Sequence, residues 1–368
     1  MKLRKLPMRE YESSNEYWIS ILGKQPIFIF PVRMIGGHEL MALEILKACI
    51  SEGVNVRVFI EPTNNALEKK LIQECGVIPD NLVKLPVKQQ RFEIIQAALN
   101  VKIRKKIWVF LKKQLNRPYS SLFLVQGDIE IGSLITETLN KNRIDYISYL
   151  PYLHSAKIMD KRLWFIRDIL ANRILLKTKH IVTISEVFKA QILKRNENCV
   201  VEVFRNRVRN LEEFRLKRAS TIDSNKKAKL NITIIGRVSF KQKGHDRLLS
   251  ALSRLNSKQL GTLELHVIGD GEDMEYFSDQ CKKKLPTLEL YMHGWSQEPW
   301  DIAYNTDLLL IPSRFEGVPL VMLEALSLGI PILASNRDGM QEYLTADSLF
   351  DNEAELAILL IDYLNSKK

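Results

Sequence analysis

The sequence predicts an α/β protein of two doubly wound domains, each a parallel sheet with helices on both faces, facing each other across a cleft. Three observations carry this. Short apolar runs alternate with helix-length amphipathic segments almost from end to end, as expected for parallel strands joined by right-handed helical crossovers. That rhythm breaks once, in the polar and charged stretch RNRVRNLEEFRLKRASTIDSNKKAK at 205–229, and then restarts. A length of 368 residues suits two ordinary domains better than one.

In chain order, PIFIFPV (26–32), VNVRVFI (54–60), SLFLVQ (121–126), IDYISYL (144–150) and HIVTI (180–184) read as buried strands of the first domain. Helical patterns lie between them at 39–51, 92–113 and 162–177. In the second half NITIIG (231–236), LELHVIG (263–269), LELYM (288–292), DLLLIP (307–312) and PILAS (331–335) repeat the strand pattern. The expected division is an acceptor-side domain at 1–205, a linker at 206–229 and a ligand-binding domain at 230–368. Ligands of open parallel sheets bind beyond the C-terminal strand ends, so the loops just after strands hold the candidate residues.

Apolar residues make up 46% and charged residues 26% of the chain, enough for packed cores and against disorder. No run of 18 apolar residues occurs, so no transmembrane helix is expected. The N-terminal MKLRKLPMREYESSNEYW lacks the apolar centre of a signal peptide, and a cytoplasmic protein is expected. Cys49, Cys75, Cys199 and Cys281 form no Cys-x-x-Cys pair, which argues against a structural zinc site. The net charge of +11 is uneven: residues 1–210 hold 35 basic and 20 acidic side chains, residues 211–368 hold 19 and 23. The N-terminal half therefore favours an anionic partner, and charge alone leaves nucleic acid, a membrane surface and an acidic substrate open. No aromatic RNA-recognition pattern is present, so nucleic acid is not expected.

Three loops carry candidate chemistry. After NITIIG, Arg237 follows the strand and Lys243-Gly244 precede the next helix. Two fixed cations beside a helix start make a diphosphate clamp; a solvated basic loop is the plainer reading. After LELHVIG, Gly269 and Gly271 allow a tight turn and a close ligand approach. The strongest segment is DLLLIPSRFEGVPLVMLEALSLGIPILAS. Here Glu316 lies in the loop, Pro319 stands where a first helical residue is favoured, and the amides of Gly317, Val318 and Leu320 gather at the helix start. Glu316 there also fits plain stabilisation of the helix dipole. Glu324 is surrounded in sequence by Val321, Met322, Leu323, Ala325 and Leu326, so its carboxylate needs a partner or a ligand.

EGVPLVMLE resembles the E-x7-E signature of the family 4 retaining glycosyltransferases, which have the GT-B architecture of two Rossmann-like domains. GRVSFKQKGHDRLL resembles that family's diphosphate loop, and ALSLGIPILAS with GMQE the segment after its signature. MIGGHE (34–39) is similar to its N-terminal glycine-rich loop, TISEVFKAQIL (183–193) to its serine-led helix, and His154 in YLPYLH to a family histidine. The resemblance runs from about Pro26 and is strongest at 231–345. It implies transfer of a hexose from a nucleoside-diphosphate sugar with retention, in cell-surface polysaccharide or glycolipid synthesis, with no cofactor and no metal. Arg237 and Lys243 would then hold the diphosphate and Glu324 the ribose. Glu316, Gly317, Val318, Pro319 and Leu320 would hold the sugar. Gly36 and Gly37 would allow the backbone near the phosphate, and His154 would stand near the reacting sugar. Trp295 is a candidate to flank the base.

The sequence departs from the family in three places. Asn206-Arg207-Val208 replaces its usual Asn-Gly-Val, the chain stops at AELAILLIDYLNSKK without the expected crossing helix, and about 25 residues precede the first strand without a counterpart. A sugar-nucleotide epimerase and a non-catalytic membrane-binding partner subunit are the alternatives. IIQAALNVKIRKKIWVFLKKQLNR (94–117) has seven basic and no acidic residues, interleaved with Ile103, Ile107, Trp108, Phe110 and Leu111. Lys105, Lys106, Trp108, Lys112 and Lys113 are the expected contacts to an anionic membrane surface, which would fit a lipid-linked or oligosaccharide acceptor. The competing reading is a solvated basic face over an apolar stripe in the core. A weaker basic, aromatic segment lies at 162–179.

Overall fold

The computed structural model describes residues 15–222 and 229–367. The polar N-terminal stretch read against a signal peptide falls largely outside them, as does 223–228 of the expected linker. The chain divides into two compact units between Asn206 and Arg207.

The N-terminal unit holds a seven-stranded parallel sheet of β1 (Ile27–Phe30), β2 (Arg57–Ile60), β3 (Leu82–Lys84), β4 (Leu122–Val125), β5 (Ile147–Tyr149), β6 (His180–Thr183) and β7 (Val200–Val203), in the order β3-β2-β1-β4-β5-β6-β7. β1, β2 and β4 are buried at every residue, which is why they appear in sequence as unbroken apolar runs. The short β3 and β7 lie at the sheet edges and were not anticipated. Ahead of β1, the helix Asn15–Leu22 seats Trp18 against Phe123 and Phe204. Ser185 caps the helix Glu186–Arg195 by accepting from Phe188 N at 3.3 Å.

The C-terminal unit repeats the scheme with β8 (Leu230–Ile235), β9 (Leu263–Ile268), β10 (Glu289–Gly294), β11 (Leu308–Ile311), β12 (Ile332–Ser335) and β13 (Leu349–Phe350), ordered β10-β9-β8-β11-β12-β13 and parallel throughout. Each sheet reverses its order beside its first strand, so the loops after β1 and β4, and after β8 and β11, flank the switch points where such sheets bind ligands. Among the described residues no helix is long and apolar enough to cross a membrane.

Two expectations change. Within the 206–229 segment read as a linker, residues Glu212–Ile222 form a helix. Phe214 is buried, and Arg218 donates to Tyr304 O at 3.0 Å and to Thr306 O at 2.6 Å, so this helix belongs to the C-terminal unit. The single helix expected at 92–113 is two, Glu93–Leu99 and Val101–Leu115. Asn100 separates them, its side chain accepting from Ile103 N at 3.1 Å as the cap of the second.

Glu93, buried at the start of the first of these helices, accepts from Leu134 N at 3.2 Å. Burial pushes its carboxyl up to about 8, so the folded protein binds a proton there that the unfolded chain releases near 4.5. The sign follows from linkage: the stability tied to this proton is complete below pH 4.5 and is lost as pH rises through 8. Glu93→Gln keeps the acceptor and removes the charge. Relative to the parent protein, it is expected to raise Tm at pH 9 by several degrees more than at pH 5. Equal differences at both pH values in thermal denaturation would refute this.

Candidate functional site

The C-terminal unit builds its candidate site at the ends of β8, β9 and β11. Gly269, at φ 143°, ends β9 so close to β8 that a Cβ on it would stand 2.1 Å from Gly236 O. Gly244, at φ 69°, packs against the end of β11, where a Cβ would meet Pro312 O at 2.1 Å. Any larger residue at either position would push these strand ends apart. The Lys243 side chain crosses the open face of Gly236 and ends on Glu316, with Nζ 2.5 Å from Oε1. Ser313 Oγ donates to the same oxygen at 2.9 Å, and Glu316 N donates to Asp338 Oδ2 at 2.9 Å. Glu316 is buried, while Arg237 is exposed at the β8 end beside Gly271.

The helix after this loop is Leu320–Ser327, with Pro319 as its cap residue rather than its first helical residue, because Pro319 ψ is 125°. No side chain caps it. Gly317 O accepts from Gly339 N at 3.2 Å, which fixes the loop beside Val318. One turn on, Glu324 has protein partners on both oxygens: Arg209 Nε at 3.0 Å and Trp300 Nε1 at 2.8 Å. Arg209 also grips Glu298 at 2.7 and 2.6 Å. Glu324 is partly buried, and its carboxylate is met by Arg209 and Trp300, neither of which sequence reasoning singled out.

A second tier of cations holds the loop. Arg247, buried, donates to Pro312 O at 3.3 Å, Ser335 Oγ at 3.0 Å, Asp351 O at 2.9 Å and Glu353 Oε1 at 2.7 Å. Arg314 forks onto both oxygens of Asp246 at 2.6 Å. His245, next to Gly244, is fully buried with its ring edge-on to Phe277; burial holds its imidazole down to about 4, so it adds no positive charge at neutral pH. Trp295, just past β10, is exposed.

The remaining expected residues sit in the N-terminal unit. Gly36 caps the helix Gly37–Ser51, and its N–H donates to Glu39 Oε2 at 2.7 Å. Glu39 is buried and its other oxygen contacts His38, whose ring lies over Gly127. Glu39 was legible as the third residue after a cap; its hold on His38 was not. His154 is buried against Tyr152 and Phe188. It lines a cavity of about 240 Å³ with Leu153, Asp168, Asn172 and Arg195.

The basic helix Val101–Leu115 departs from expectation in its anchors. Ile107 and Leu111 are buried, and Ile103, Trp108 and Phe110 pack against the domain core. Arg104 turns inward to Ala98 O at 2.9 Å. Lys105, Lys106, Lys112 and Lys113 are exposed, but Trp108 is held by the core. Among the described residues, no group of three or more His, Cys, Asp or Glu side chains is placed to hold a metal ion.

Residues 217–368 match the protein family described as Glycosyl transferases group 1. A lipopolysaccharide 1,6-galactosyltransferase of Salmonella typhimurium is 35% identical over 107 residues, which are 28% of this chain; the match spans 29% of that relative's length. Among solved structures, the apo form of the lipopolysaccharide outer core galactosyltransferase WaaB superposes with a TM-score of 0.65 at 19% identity, covering 93% of this chain and 88% of that one. Anabaena HepE in complex with UDP gives 0.68 at 13% identity, covering 94% and 91%. These structures share the fold, two parallel-sheet Rossmann-like domains of the GT-B kind.

Proposed function

We propose that this protein is a retaining, metal-independent glycosyltransferase that moves a hexose from a nucleoside-diphosphate sugar to an acceptor hydroxyl in the synthesis of lipopolysaccharide or a related surface polysaccharide. The observation that carries the reading is the contact of Lys243 with Glu316 beside the glycine-lined ends of β8 and β9. A cation and a buried carboxylate meet there where a doubly wound sheet binds its ligand. The family match over 217–368 spans the same elements. A UDP-hexose is the preferred donor, because the Salmonella typhimurium relative is a galactosyltransferase and HepE was crystallised with UDP.

In this reading Lys243 and Arg237 take the diphosphate, doing the work a divalent ion does elsewhere. Glu316 and the backbone of Gly317, Val318, Pro319 and Leu320 hold the sugar hydroxyls. Glu324 exchanges Arg209 for the ribose. Gly36 and Gly37 keep their expected role toward the donor phosphate and His154 its role toward the reacting sugar, and the acceptor is lipid-linked or an oligosaccharide. The bond from the anomeric carbon to the diphosphate oxygen breaks. The acceptor oxygen bonds that carbon on the same face, and its proton passes to the departing phosphate. The two glutamates position substrate, unlike the acid and nucleophile of a hydrolase pair.

Calorimetry tests the clamp. Lys243→Ala is expected to weaken free UDP and the intact donor alike by roughly tenfold to a hundredfold, the worth of one charge-assisted hydrogen bond. Unchanged UDP affinity in a folded variant overturns the assignment. A thermal-shift panel of nucleoside diphosphates and their sugars identifies the donor, and incubation with donor alone excludes an epimerase if the sugar is unaltered.

A further inference from the structure

The helix Trp164–Leu175 is more apolar than its inner face can use. Ile174 and Leu175 are buried, yet Trp164 is 44% exposed, Phe165 53%, Ile169 67% and Leu176 54%. Steps of four and seven place Phe165, Ile169 and Leu176 on one helical face. Leu163, just before the helix, is exposed as well, and so is Ile158.

The turn that presents these side chains is held in an unusual shape. Asp160 and Leu163 both have positive φ, 47° and 59°, a conformation that costs a bulky side chain about 1–2 kcal/mol. Ion pairs fix it: Lys161 Nζ reaches Asp128 and, at 3.1 Å, Glu130 Oε2, while Arg167 contacts Glu130 and covers the Phe92 ring. A turn strained and pinned in this way keeps Leu163 and Trp164 outward.

Charge gives the partner's sign. Residues 157–177 hold six basic and two acidic side chains. Lys161 and Arg167 are turned onto the acids of the 128–130 loop, and Asp168 accepts from Ala156 N at 2.5 Å. Lys157, which lies 5.1 Å over the Trp164 ring, and Arg162 and Lys177 remain exposed around the apolar stripe, with Asp160 the single exposed acid. An aromatic and aliphatic stripe rimmed by cations matches the interface of a bilayer with anionic headgroups. The helix Val101–Leu115 lacks this pairing, since its aromatic side chains and its Ile and Leu residues lie in or against the core and, of its apolar residues, only Val101 and Val109 are exposed.

We propose that the segment 157–177 docks the N-terminal domain on an anionic lipid bilayer, with Trp164, Phe165, Ile169 and Leu176 entering the interface and Lys157, Arg162 and Lys177 meeting phosphate headgroups. The adjoining edge of the same helical face, through Asp168 and Asn172, lines the cavity that holds His154, so docking brings that cavity next to the membrane surface. The inference stands apart from the transfer reaction, because vesicle binding is read without donor or acceptor.

The test is cosedimentation of the full chain with vesicles of phosphatidylcholine alone or mixed with phosphatidylglycerol. Binding is expected on the mixed vesicles, weaker on phosphatidylcholine, and reduced by salt. The double variant Phe165→Ser, Ile169→Ser, with unchanged circular dichroism, is expected to lose roughly a hundredfold in binding, about tenfold for each large apolar side chain kept out of the interface. Brominated lipid is expected to quench the parent protein and to quench Trp164→Phe less. Parent protein that stays in the supernatant, or a double variant that sediments like the parent, overturns the proposal. So does binding lost only when Lys105, Lys106, Lys112 and Lys113 become Glu. A parent dimer that the double variant dissolves, with no vesicle binding, assigns the face to a second copy of this chain and likewise overturns it.

Discussion

Glu316→Gln is expected to lower transfer turnover by roughly ten- to a hundredfold while leaving UDP affinity unchanged or tighter. The two effects part because Glu316 occupies the Lys243 ammonium at 2.5 Å before any ligand arrives. A diphosphate must draw Lys243 away from that carboxylate. Removing the negative charge frees the cation for phosphate, so the nucleotide loses a competitor. The sugar, in contrast, loses a charged acceptor for its hydroxyls, and a hydrogen bond to a charged group is worth about 1.5–3 kcal/mol, or about ten- to a hundredfold in rate. Glutamine keeps the Oε1 acceptor for Ser313 and the backbone bond from Glu316 N to Asp338, so the loop is expected to hold its shape. The opposite pattern from Lys243→Ala, weaker UDP, completes the pair. Steady-state kinetics with the donor identified by thermal shift, beside UDP calorimetry, decides the matter: full turnover in Glu316→Gln, or UDP affinity that falls with it, removes Glu316 from the sugar site.

How much of this arrangement could be read beforehand depended on sequence distance. Strands buried on both sides, such as β1 and β11, announce themselves as apolar runs. Edge strands do not: β3 is half-exposed Leu82–Lys84 and β13 has two residues. The helix Glu212–Ile222 was hidden because Arg218, rather than a wide apolar stripe, fastens it to distant carbonyls. Asn100 was a readable cap, but the long amphipathic pattern around it masked the break. At the site, Lys243 and Glu316 stood out because each lies in a compact motif after a strand. The partners of Glu324 lie 115 residues away at Arg209 and 24 away at Trp300, and no local pattern links them. The expected membrane anchor Trp108 failed for a similar reason: periodicity places it on a helix but does not tell which stripe the sheet covers.

The largest stability effect is expected from Arg247, a residue without a proposed role in binding. Its guanidinium is buried and ties together the end of β11 at Pro312, the end of β12 at Ser335 and the turn after β13 at Asp351. Its charge is met by Glu353 at 2.7 Å and by the face of Phe350. Arg247→Met fills similar volume and satisfies none of these groups. Glu353 is one-third exposed and regains water, so the loss falls on the buried carbonyls of Pro312 and Asp351. Taking one partner from a buried charged network costs about 3–5 kcal/mol; with Glu353 resolvated the lower end applies, which is roughly 6–12 °C in Tm for a domain of this size. Lys179→Met, which breaks the fully solvated pair with Asp145, is expected to shift Tm by less than about 1 °C. Because Pro312 leads directly into Ser313 and Glu316, the Arg247 variant is also expected to bind UDP more weakly well below its own Tm, although Arg247 touches none of the residues assigned to the nucleotide. Calorimetry and UDP titration on both variants test the two halves together. A small Tm shift would show that water or a rearranged loop replaces the guanidinium. A large shift with full UDP affinity would show that the loop carrying Glu316 is held from elsewhere, chiefly by the Arg314–Asp246 fork.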